Sequence, residues 1–569
     1  MSNDVAAPLV ARDEVDERQL LLLMGDWRQG RANRNLRQAL GDAYVAVFAV
    51  VMIGAMLTNV VINAQQMAAT CTTSACLSGR GLLPWAAMFG TFVMALAASA
   101  MFGPVLASAA EGFWLLDAPL RRSRLLVRRL LAALVVALLG GALLGALVTA
   151  LTGSPLPSVL AWSAATGLGS AGLVAFAAAE QGRERTWAVR GLQTVAGLAV
   201  VLTLLAVMAT ATGRAAIHMA DGTARTLAFG VAVAGAVVMV VFTLLARARL
   251  DHFRRARLLS GGSLASGMQG AMFALDFGLM RDILVEREAL QRGSVRPTRG
   301  RGVGTQALVW RDLQRLLRFP RPLMLLAVSA LVPYAVQALG LGALNAAISA
   351  LVLMAALIPF FGSLRVLTRT RGLARSLPWS TSQLRTAASV VPTGLAAVWS
   401  LAVAPAFLGI GTEAPRPLNE GVLVALVCGA AGLVAAIRWV SAQPADFSKP
   451  MLSTSAGAMP PGLAMNLLRG FDMVALITLP VVFGLSPWVS LVLAAVAFSI
   501  LRMGGLDAEE LQAQKEENER LLAQAKQERE PQVKQDRPPQ TKQDRPPQAR
   551  RAVGEPAQPQ ARRKVKRKK

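Results

Sequence analysis

The sequence predicts an all-α, polytopic transmembrane helical bundle, and three observations support this fold class. Of the 569 residues, 54% are apolar and 16% are charged, whereas about a quarter of the residues of a soluble domain are charged. The apolar residues form long uninterrupted runs, and an α-helix needs about 20 such residues to cross a bilayer. Polar, basic segments separate the runs. These observations exclude a soluble enzyme, a disulfide-framed secreted domain and a fibrous protein.

Twelve apolar runs are candidate membrane spans, and the last two are the shortest. The runs are 40–62, 84–107, 130–152, 156–179, 188–210, 226–246, 323–340, 343–363, 386–408, 419–440, 470–485 and 487–503. Strands of a membrane barrel would be shorter and would alternate polar and apolar residues. The polar residues 1–39 precede the first run, so no cleavable signal peptide is predicted.

The basic residues predict the topology of the chain, whose net charge is +26. With the N-terminus in the cytoplasm, 36 lysines and arginines before the tail lie in cytoplasmic segments or at the cytoplasmic ends of the runs. The extracytoplasmic loops then hold four arginines, Arg80, Arg214, Arg225 and Arg416. Because cytoplasmic loops are enriched in basic residues, we predict a multi-pass protein of the bacterial cytoplasmic membrane with both termini in the cytoplasm. No nucleic-acid-binding motif accompanies the charge, so no nucleic acid partner is expected.

Two basic segments that begin with tryptophan precede the first and the seventh spans. They read W-R-Q-G-R-A-N-R-N-L-R from Trp27 and W-R-D-L-Q-R-L-L-R from Trp310, and in each case the span begins 13 residues after the tryptophan. We expect both segments to be interfacial helices anchored by Trp27, Arg28, Trp310 and Arg311. Their arginines would contact anionic lipids at the cytoplasmic face.

A second match lies between the second and third spans of each half. The first loop reads D-A-P-L-R-R-S-R-L from Asp117 and the other reads S-L-P-W-S-T-S-Q-L from Ser376, which aligns Pro119 with Pro378. Two matches in the same order predict a six-plus-six parallel internal repeat, related by an axis along the membrane normal.

This repeat divides the chain into five regions, which are 1–39 with an interfacial helix, the first half 40–246, a basic connector 247–322, the second half 323–503 and a tail 504–569. Within the connector, residues 271–290 read as an amphipathic helix with Phe273, Phe277, Met280 and Leu284 on one face. Residues 293–306 read as a Gly- and Arg-rich linker. The tail is expected to hold a charged helix and a disordered polybasic end.

The first loop resembles a motif of the ABC-2 type exporter permeases. In that family the loop between spans two and three often reads like L-L-S-x-P-V-S-R-R-x-L-L, and residues 115–126 read L-L-D-A-P-L-R-R-S-R-L-L. The second copy departs from the pattern, with Ser380 and Thr381 where it favours arginine. The resemblance covers about 27–503 and suggests an uncharacterised actinobacterial type with two fused six-span halves.

The resemblance implies that residues 112–129 and 373–385 dock a separate ATP-binding subunit. The coupling candidates are Pro119, Arg121, Arg122, Arg124, Pro378 and Trp379. An alternative for the arginines is that they only anchor the loop at the cytoplasmic face. The ATPase itself is not predicted in this chain, because a P-loop needs a lysine and the first lysine, Lys449, is followed by Pro450. No cofactor is expected.

Other candidate sites are few. Asp472 is the best-placed intramembrane carboxylate, and Arg469 lies three residues earlier, so a local ion pair is favoured over a transport role. Cys71 and Cys76 share a polar loop, where a disulfide and two free thiols are equally compatible with the sequence. His218 and His252 are too few for a histidine metal site.

The resemblance therefore suggests a permease subunit of an ABC-2-like exporter. Its substrate is expected to be lipidic or amphipathic, because the spans contain few polar residues. The alternatives are a non-transporting membrane scaffold and, less favoured, an ion-coupled carrier or flippase. An enzyme is not expected, since paired acids, an activated nucleophile and a metal cluster are missing from the sequence. The oligomeric state is left open.

Overall fold

The computed structural model describes most of the chain between residues 36 and 503. The described residues are 22, 36–69, 74–108, 111–112, 122–217, 220–273, 277–294, 297–409, 416–442, 452–454, 457–459, 468–503 and 519. The chain divides into two units, Met1–Gly505 and Leu506–Lys569. The second unit is described only at Glu519, which is helical, so the predicted tail lies outside the described residues, as does the predicted interfacial helix with Trp27 and Arg28.

Six helices form the first half of the bundle. They are α1 (Leu36–Ala69), α2 (Ser74–Phe102), α3 (Arg122–Leu151), α4 (Leu156–Arg183), α5 (Thr186–Ala211) and α6 (Asp221–Arg249). Each covers most or all of one of the first six predicted runs. Helix α2 begins ten residues before its run and ends at Phe102 rather than at 107, and so Arg80 belongs to α2 rather than to a loop.

The connector consists of a 3-10 turn (Leu250–His252) and three helices, which are α7 (Arg255–Phe273), α8 (Phe277–Arg292) and α9 (Thr305–Arg318). The prediction of one helix over 271–290 was wrong, because α7 and α8 pack against each other, with a Cβ at Gly267 lying 3.3 Å from the Ile283 side chain. Residues 274–276 between them lie outside the described residues. The predicted linker is confirmed, since the described residues between α8 and α9 are not helical. Gly302 and Gly304 there have φ values of +87° and +68°, which interrupt a helix.

The second half contains the last six predicted runs. Its helices are α10 (Arg321–Ser329), α11 (Val332–Ala338), α12 (Gly342–Leu357), α13 (Gly362–Arg369), α14 (Arg371–Ser376), α15 (Thr381–Leu408), α16 (Leu418–Val440), α17 (Phe471–Val482) and α18 (Pro487–Arg502). Pro333 lies at the break between α10 and α11, and Pro359 lies in the 3-10 turn Ile358–Phe361 that separates α12 from α13. Proline removes a helical hydrogen-bond donor.

The helices have the lengths that membrane spans need. Among the described residues, ten helical segments are long and apolar enough to cross a membrane, and α17 and α18 are shorter apolar helices. The protein is therefore an all-α, multi-pass membrane bundle. Two unpredicted three-residue strands, β1 (Leu452–Thr454) and β2 (Gly457–Met459), pair antiparallel between α16 and α17.

The fourth span of each half, which is α4 in the first half and α16 in the second, is central. Over an 18-residue window, 56% of α4 and 72% of α16 is buried. Helix α4 packs against α2, α3 and α6, and α16 packs against α12, α15 and α18. In each half these partners are the second, third and sixth spans. The fourth span therefore packs against the corresponding spans in both halves. A six-plus-six repeat predicts this pattern. By contrast, α1 is almost entirely exposed and packs mainly along α3.

Glycines let the helices approach α4 closely. A Cβ atom at Gly141 would lie 2.7 Å from the carbonyl oxygen of Thr166, and one at Gly145 would overlap the Thr166 hydroxyl. On α6, a Cβ at Gly235 would lie 2.7 Å from the backbone nitrogen of Gly169. Such contacts matter because lipid tails remove the hydrophobic driving force between helices and leave packing to hold them.

The two halves meet on the side of the bundle opposite the connector. Arg80, 6% exposed, donates hydrogen bonds to the carbonyl oxygens of Ala338 (3.2 Å) and Leu339 (3.3 Å) at the end of α11. Leu83 and Val207 pack with Ala338 beside it. A guanidinium that binds the last carbonyls of a helix also complements its dipole.

Replacing Gly145 by leucine is expected to destabilise the bundle by about 1–3 kcal/mol, because the new side chain would overlap Thr166. The measurement is the midpoint of thermal unfolding in mild detergent. Gly140→Leu is the matched control, since Gly140 is on the same helix and a Cβ there has nothing within 4 Å. Equal midpoints for the two variants would contradict the packing described here.

Candidate functional site

The connector side of the bundle, where α2 and α4 end and α5 begins against the connector, holds a cavity of about 770 Å³. One wall is formed by the membrane helices and contains both apolar and polar residues. Its apolar residues are Ala97, Ala100 and Met101 on α2, Ala177 on α4 and Val189 on α5. The same helices also contribute Ser99, Glu180, Gln181, Thr186, Arg190 and Gln193. The opposite wall comes from α7 and α8 of the connector and from Arg321 at the start of α10. The cavity has the volume of a small-molecule site, about 300–1,000 Å³.

Nine charged residues line this cavity. Three are glutamates and six are arginines, namely Glu180, Glu184, Glu288, Arg185, Arg190, Arg254, Arg257, Arg287 and Arg321. Each of the glutamates has an arginine partner. Arg183 binds Glu180 at 2.7 Å, Arg254 binds Glu184 at 2.5 Å, and Arg292 binds Glu288.

The other five lining arginines make no ion pair with a described residue. Arg287, half-buried on α8, also has its Nη1 atom buried without a hydrogen-bond partner. Burial, and then the positive charge of Arg257, lower the pKa of the Arg287 guanidinium. The cavity therefore carries an excess of positive charge that its own acids do not neutralise, and such charge favours an anion.

Two arginines of α13 join the second half to the connector. Arg365 binds Asp282 of α8 at 2.7 Å, and Arg369 binds the same carboxylate. Arg365 also donates to the carbonyl oxygen of Gly278. Arg281, beside Asp282, has its pKa lowered to about 10 by burial and then by the charges of Arg365 and Arg315. Helix α8 is thus bound to α13 through Asp282 while it lines the cavity with Leu284, Arg287 and Glu288.

Helix α9 is also held to α13. Its Asp312, 6% exposed, accepts a hydrogen bond from the Ser363 hydroxyl. Burial raises the pKa of Asp312, and this effect exceeds the opposing effects of Ser363, Arg315 and Arg311. The segment predicted as an interfacial helix is confirmed as a helix, with its one buried carboxylate turned toward the bundle.

The tryptophan and arginine predicted as anchors of this helix lie on its surface. Trp310 is half-buried, and the guanidinium carbon of Arg301 is 5.5 Å from its ring centroid. Arg311 is exposed.

The backbone of the second predicted coupling region is described throughout. Helix α14 is followed by exposed Pro378 and half-buried Trp379. Ser380 then caps α15, where its hydroxyl accepts from the backbone N–H of Gln383 and its own N–H donates to the Gln383 side chain. This capping box fixes the start of the helix.

The first coupling region is described only in part. Pro119 and Arg121 lie outside the described residues, whereas Arg122 and Arg124 lie in the first turn of α3. The backbone N–H of Ser123 donates to Asp251 of the connector at 2.8 Å. Before this region, Glu111 binds Arg129 at 2.5 Å. Burial raises the pKa of Glu111, but the N–H of Ser108 and the charge of Arg129 together hold it below its ordinary value.

Asp472 has a partner that sequence reasoning missed. Arg438 of α16 binds it at 2.7 Å, and the backbone N–H groups of Gly470 and Met473 donate to it at 2.8 Å. The helical spacing assumed for Arg469 is wrong, because α17 begins at Phe471. Asp472 is therefore an ion-paired residue at the end of a span. A separation of 34 positions between Asp472 and Arg438 gives no signal in the sequence.

The predicted disulfide is not described. Cys71 and the side chain of Cys76 lie outside the described residues, as does His218. The buried Cys428 is a free thiol. The cavity itself was not predicted, because its lining comes from segments up to 224 residues apart, from Ala97 to Arg321.

Comparison with known proteins identifies the family. Residues 76–450 match the model of a family of unknown function (DUF6297), and the chain belongs to this family. The match includes α2 to α16 and therefore the whole connector and cavity. No curated protein and no solved structure matches the chain.

The raised pKa of Asp312 predicts how stability depends on pH. A carboxyl group whose pKa is higher in the folded state stabilises that state most below its ordinary pKa, near 3.8, and this contribution is lost as the pH rises through the raised value. Asp312→Asn removes the titration, so the unfolding midpoint of wild type relative to this variant should fall as the pH rises above the ordinary pKa of the carboxyl group. Asp312→Ala removes the acceptor for Ser363. It should lower the free energy of unfolding by about 1–3 kcal/mol, and with it the unfolding midpoint, at every pH. A constant difference between wild type and Asp312→Asn would contradict the pKa shift.

Proposed function

We propose that this DUF6297 protein is the membrane subunit of an ABC-2-like exporter, driven by a separate ATP-binding subunit, with the connector side in the cytoplasm. One observation carries the proposal. A continuous series of contacts leads from the exposed region around α14 to the cavity, through α13, Asp282 and α8. The arginine-rich composition of the connector supports the orientation.

The region around α14 has the features of a docking element. It is short, and Pro378 and Ser376 are exposed. It lies between two supported helices, because α13 is bound to Asp282 and α15 begins with the capping box of Ser380. A short element on rigid supports can transmit a rigid-body movement to the helices that flank it.

The path to the cavity is made of ionic contacts rather than of apolar packing alone. A movement of α13 acts on Asp282 through two guanidinium groups. Asp282 is on α8, and Arg287 lies five residues further along the same helix, at the cavity. Coupling between distant sites is carried by such networks of contacting groups when they have two arrangements.

The cavity also bears on the alternatives. A scaffold predicts a closed bundle, whereas the connector side holds an open volume of about 770 Å³. An ion-coupled carrier needs an ionisable group along a transport path, and Asp472 is instead paired with Arg438 at the end of a span. The apolar residues of α2 in this cavity, which face arginines of the connector, support an amphipathic cargo.

The first test is co-purification. The tagged full-length chain, extracted from its native membrane in mild detergent, should retain an ATP-binding subunit identified by mass spectrometry. Combined replacement of Arg122, Arg124, Pro378 and Trp379 by alanine should remove that subunit, because these residues form the proposed docking regions. Arg247→Ala with Arg299→Ala is the control for lost charge, since both side chains are exposed outside the cavity. Absence of an ATP-binding subunit under every detergent condition would refute the proposal.

A second test separates docking from transmission. Asp282→Asn should leave the captured ATP-binding subunit in place, because Asp282 lies outside the docking regions. It should reduce stimulation of ATP hydrolysis by the membrane subunit by about fivefold or more, the lower end of typical coupling energies. Asp221→Asn is the control, since Asp221 is at the start of α6 on the opposite side. Unchanged stimulation in the Asp282 variant would exclude this path.

A further inference from the structure

We infer that the connector-side cavity binds the phosphate group of an anionic amphiphile. Arg257 and Arg287 contact the phosphate, and the apolar part of the ligand lies along α2, α4 and α5. The inference deepens the proposed function and rests on it in one respect, since the bound amphiphile is the exported substrate only if the chain is an exporter.

The two arginines lie on different helices of the connector and face one cavity. Arg257 is on α7 and Arg287 is on α8, and both are half-buried. The two guanidinium groups repel each other, since burial and then the positive charge of Arg257 lower the pKa of Arg287. Neither forms an ion pair with a described residue, and the Nη1 atom of Arg287 is buried without an acceptor. A phosphate oxygen supplies that acceptor and offsets the repulsion.

The glutamates of the cavity do not neutralise Arg257 and Arg287. Glu180 and Glu184 are bound by Arg183 and Arg254, and Glu288 is bound by Arg292. Arg185 and Arg190, near the start of α5, and Arg321 add further positive charge at the cavity. The lining therefore contains more guanidinium groups than its carboxylates can neutralise.

The apolar residues of the membrane-side wall distinguish an amphiphile from a soluble phosphate. Ala97, Ala100 and Met101 form an apolar stretch on α2, and Ala177 and Val189 add to it, among polar residues of α4 and α5. The arginines on α7 and α8 lie in the connector, outside the spans. A ligand that contacts both the connector arginines and this stretch of α2 has a charged end at the connector and an apolar end toward the bilayer. A free phosphate ion would leave these apolar side chains in contact with water, at a cost that grows with their area.

The test measures binding to the purified full-length chain in a neutral detergent, without nucleotide or ATP-binding subunit. The probes are dioctanoyl phosphatidate, dioctanoyl phosphatidylcholine and inorganic phosphate, measured by calorimetry or thermophoresis. Phosphatidate should bind at least about tenfold more tightly than either of the others. Arg257→Gln with Arg287→Gln should weaken phosphatidate binding by about tenfold or more, because charge-assisted hydrogen bonds are lost.

The control variant carries Arg247→Gln and Arg299→Gln, which remove the same charge outside the cavity, and its affinity should stay within about twofold of wild type. Equal losses in the two double variants would show a diffuse charge effect and overturn the site. Equal affinity for inorganic phosphate would overturn the amphiphile, and equal affinity for phosphatidylcholine would overturn recognition of the anionic headgroup. If the double variant does not fold, Arg287→Lys serves instead, since it keeps the charge and removes the planar fork.

Failure of this inference and failure of the proposed function give different results. Binding of phosphatidate by a chain that captures no ATP-binding subunit would refute the exporter and keep the site. Capture of the subunit by a chain that binds no phosphatidate would refute the site and keep the exporter.

Discussion

The close approach of helix backbones around α4 and α16 is the constraint on which the rest of the structure depends. Between helices in lipid, packing must supply what the hydrophobic effect supplies in water. Gly141, Gly145 and Gly235 bring α3 and α6 against α4 without intervening side chains. In the second half, Gly429 meets Ser400 of α15 in the same way. Because these contacts fix α4, they also fix where its end, with Glu180 and Gln181, borders the cavity.

Polar contacts take over where the helices leave the apolar layer. Asp282 joins α8 to α13, and Asp312 joins α9 to the same helix. Asp312 is buried and Asp282 is half-buried. Because a carboxylate shielded from water without partners would be costly, the contacts of these two acids specify which connector helix contacts which span end. The connector is thus part of the bundle's architecture, and the cavity is formed jointly by membrane helices and connector.

The sequence alone predicted the structural elements that depend only on a contiguous stretch of residues. Twelve apolar runs became twelve helical segments because spanning length and apolarity are properties of a contiguous stretch. The breaks in the seventh and eighth spans could also have been predicted, because Pro333 and Pro359 lie at them. The pair of Arg438 with Asp472, and the cavity, depend on which segments meet in space, and a single sequence with few polar residues in its spans contains no periodicity from which that could be read.

Arg80 places a permanent positive charge inside the protein at the end remote from the connector. Its two acceptors are main-chain carbonyls of the other half, at Ala338 and Leu339, so no substitution at those positions removes them. Separation of the two halves at this end would require rehydration of a guanidinium that is now 6% exposed. The hydrogen bonds of Arg80 therefore favour an arrangement in which the two halves stay joined at the end remote from the connector, while the connector side holds the cavity.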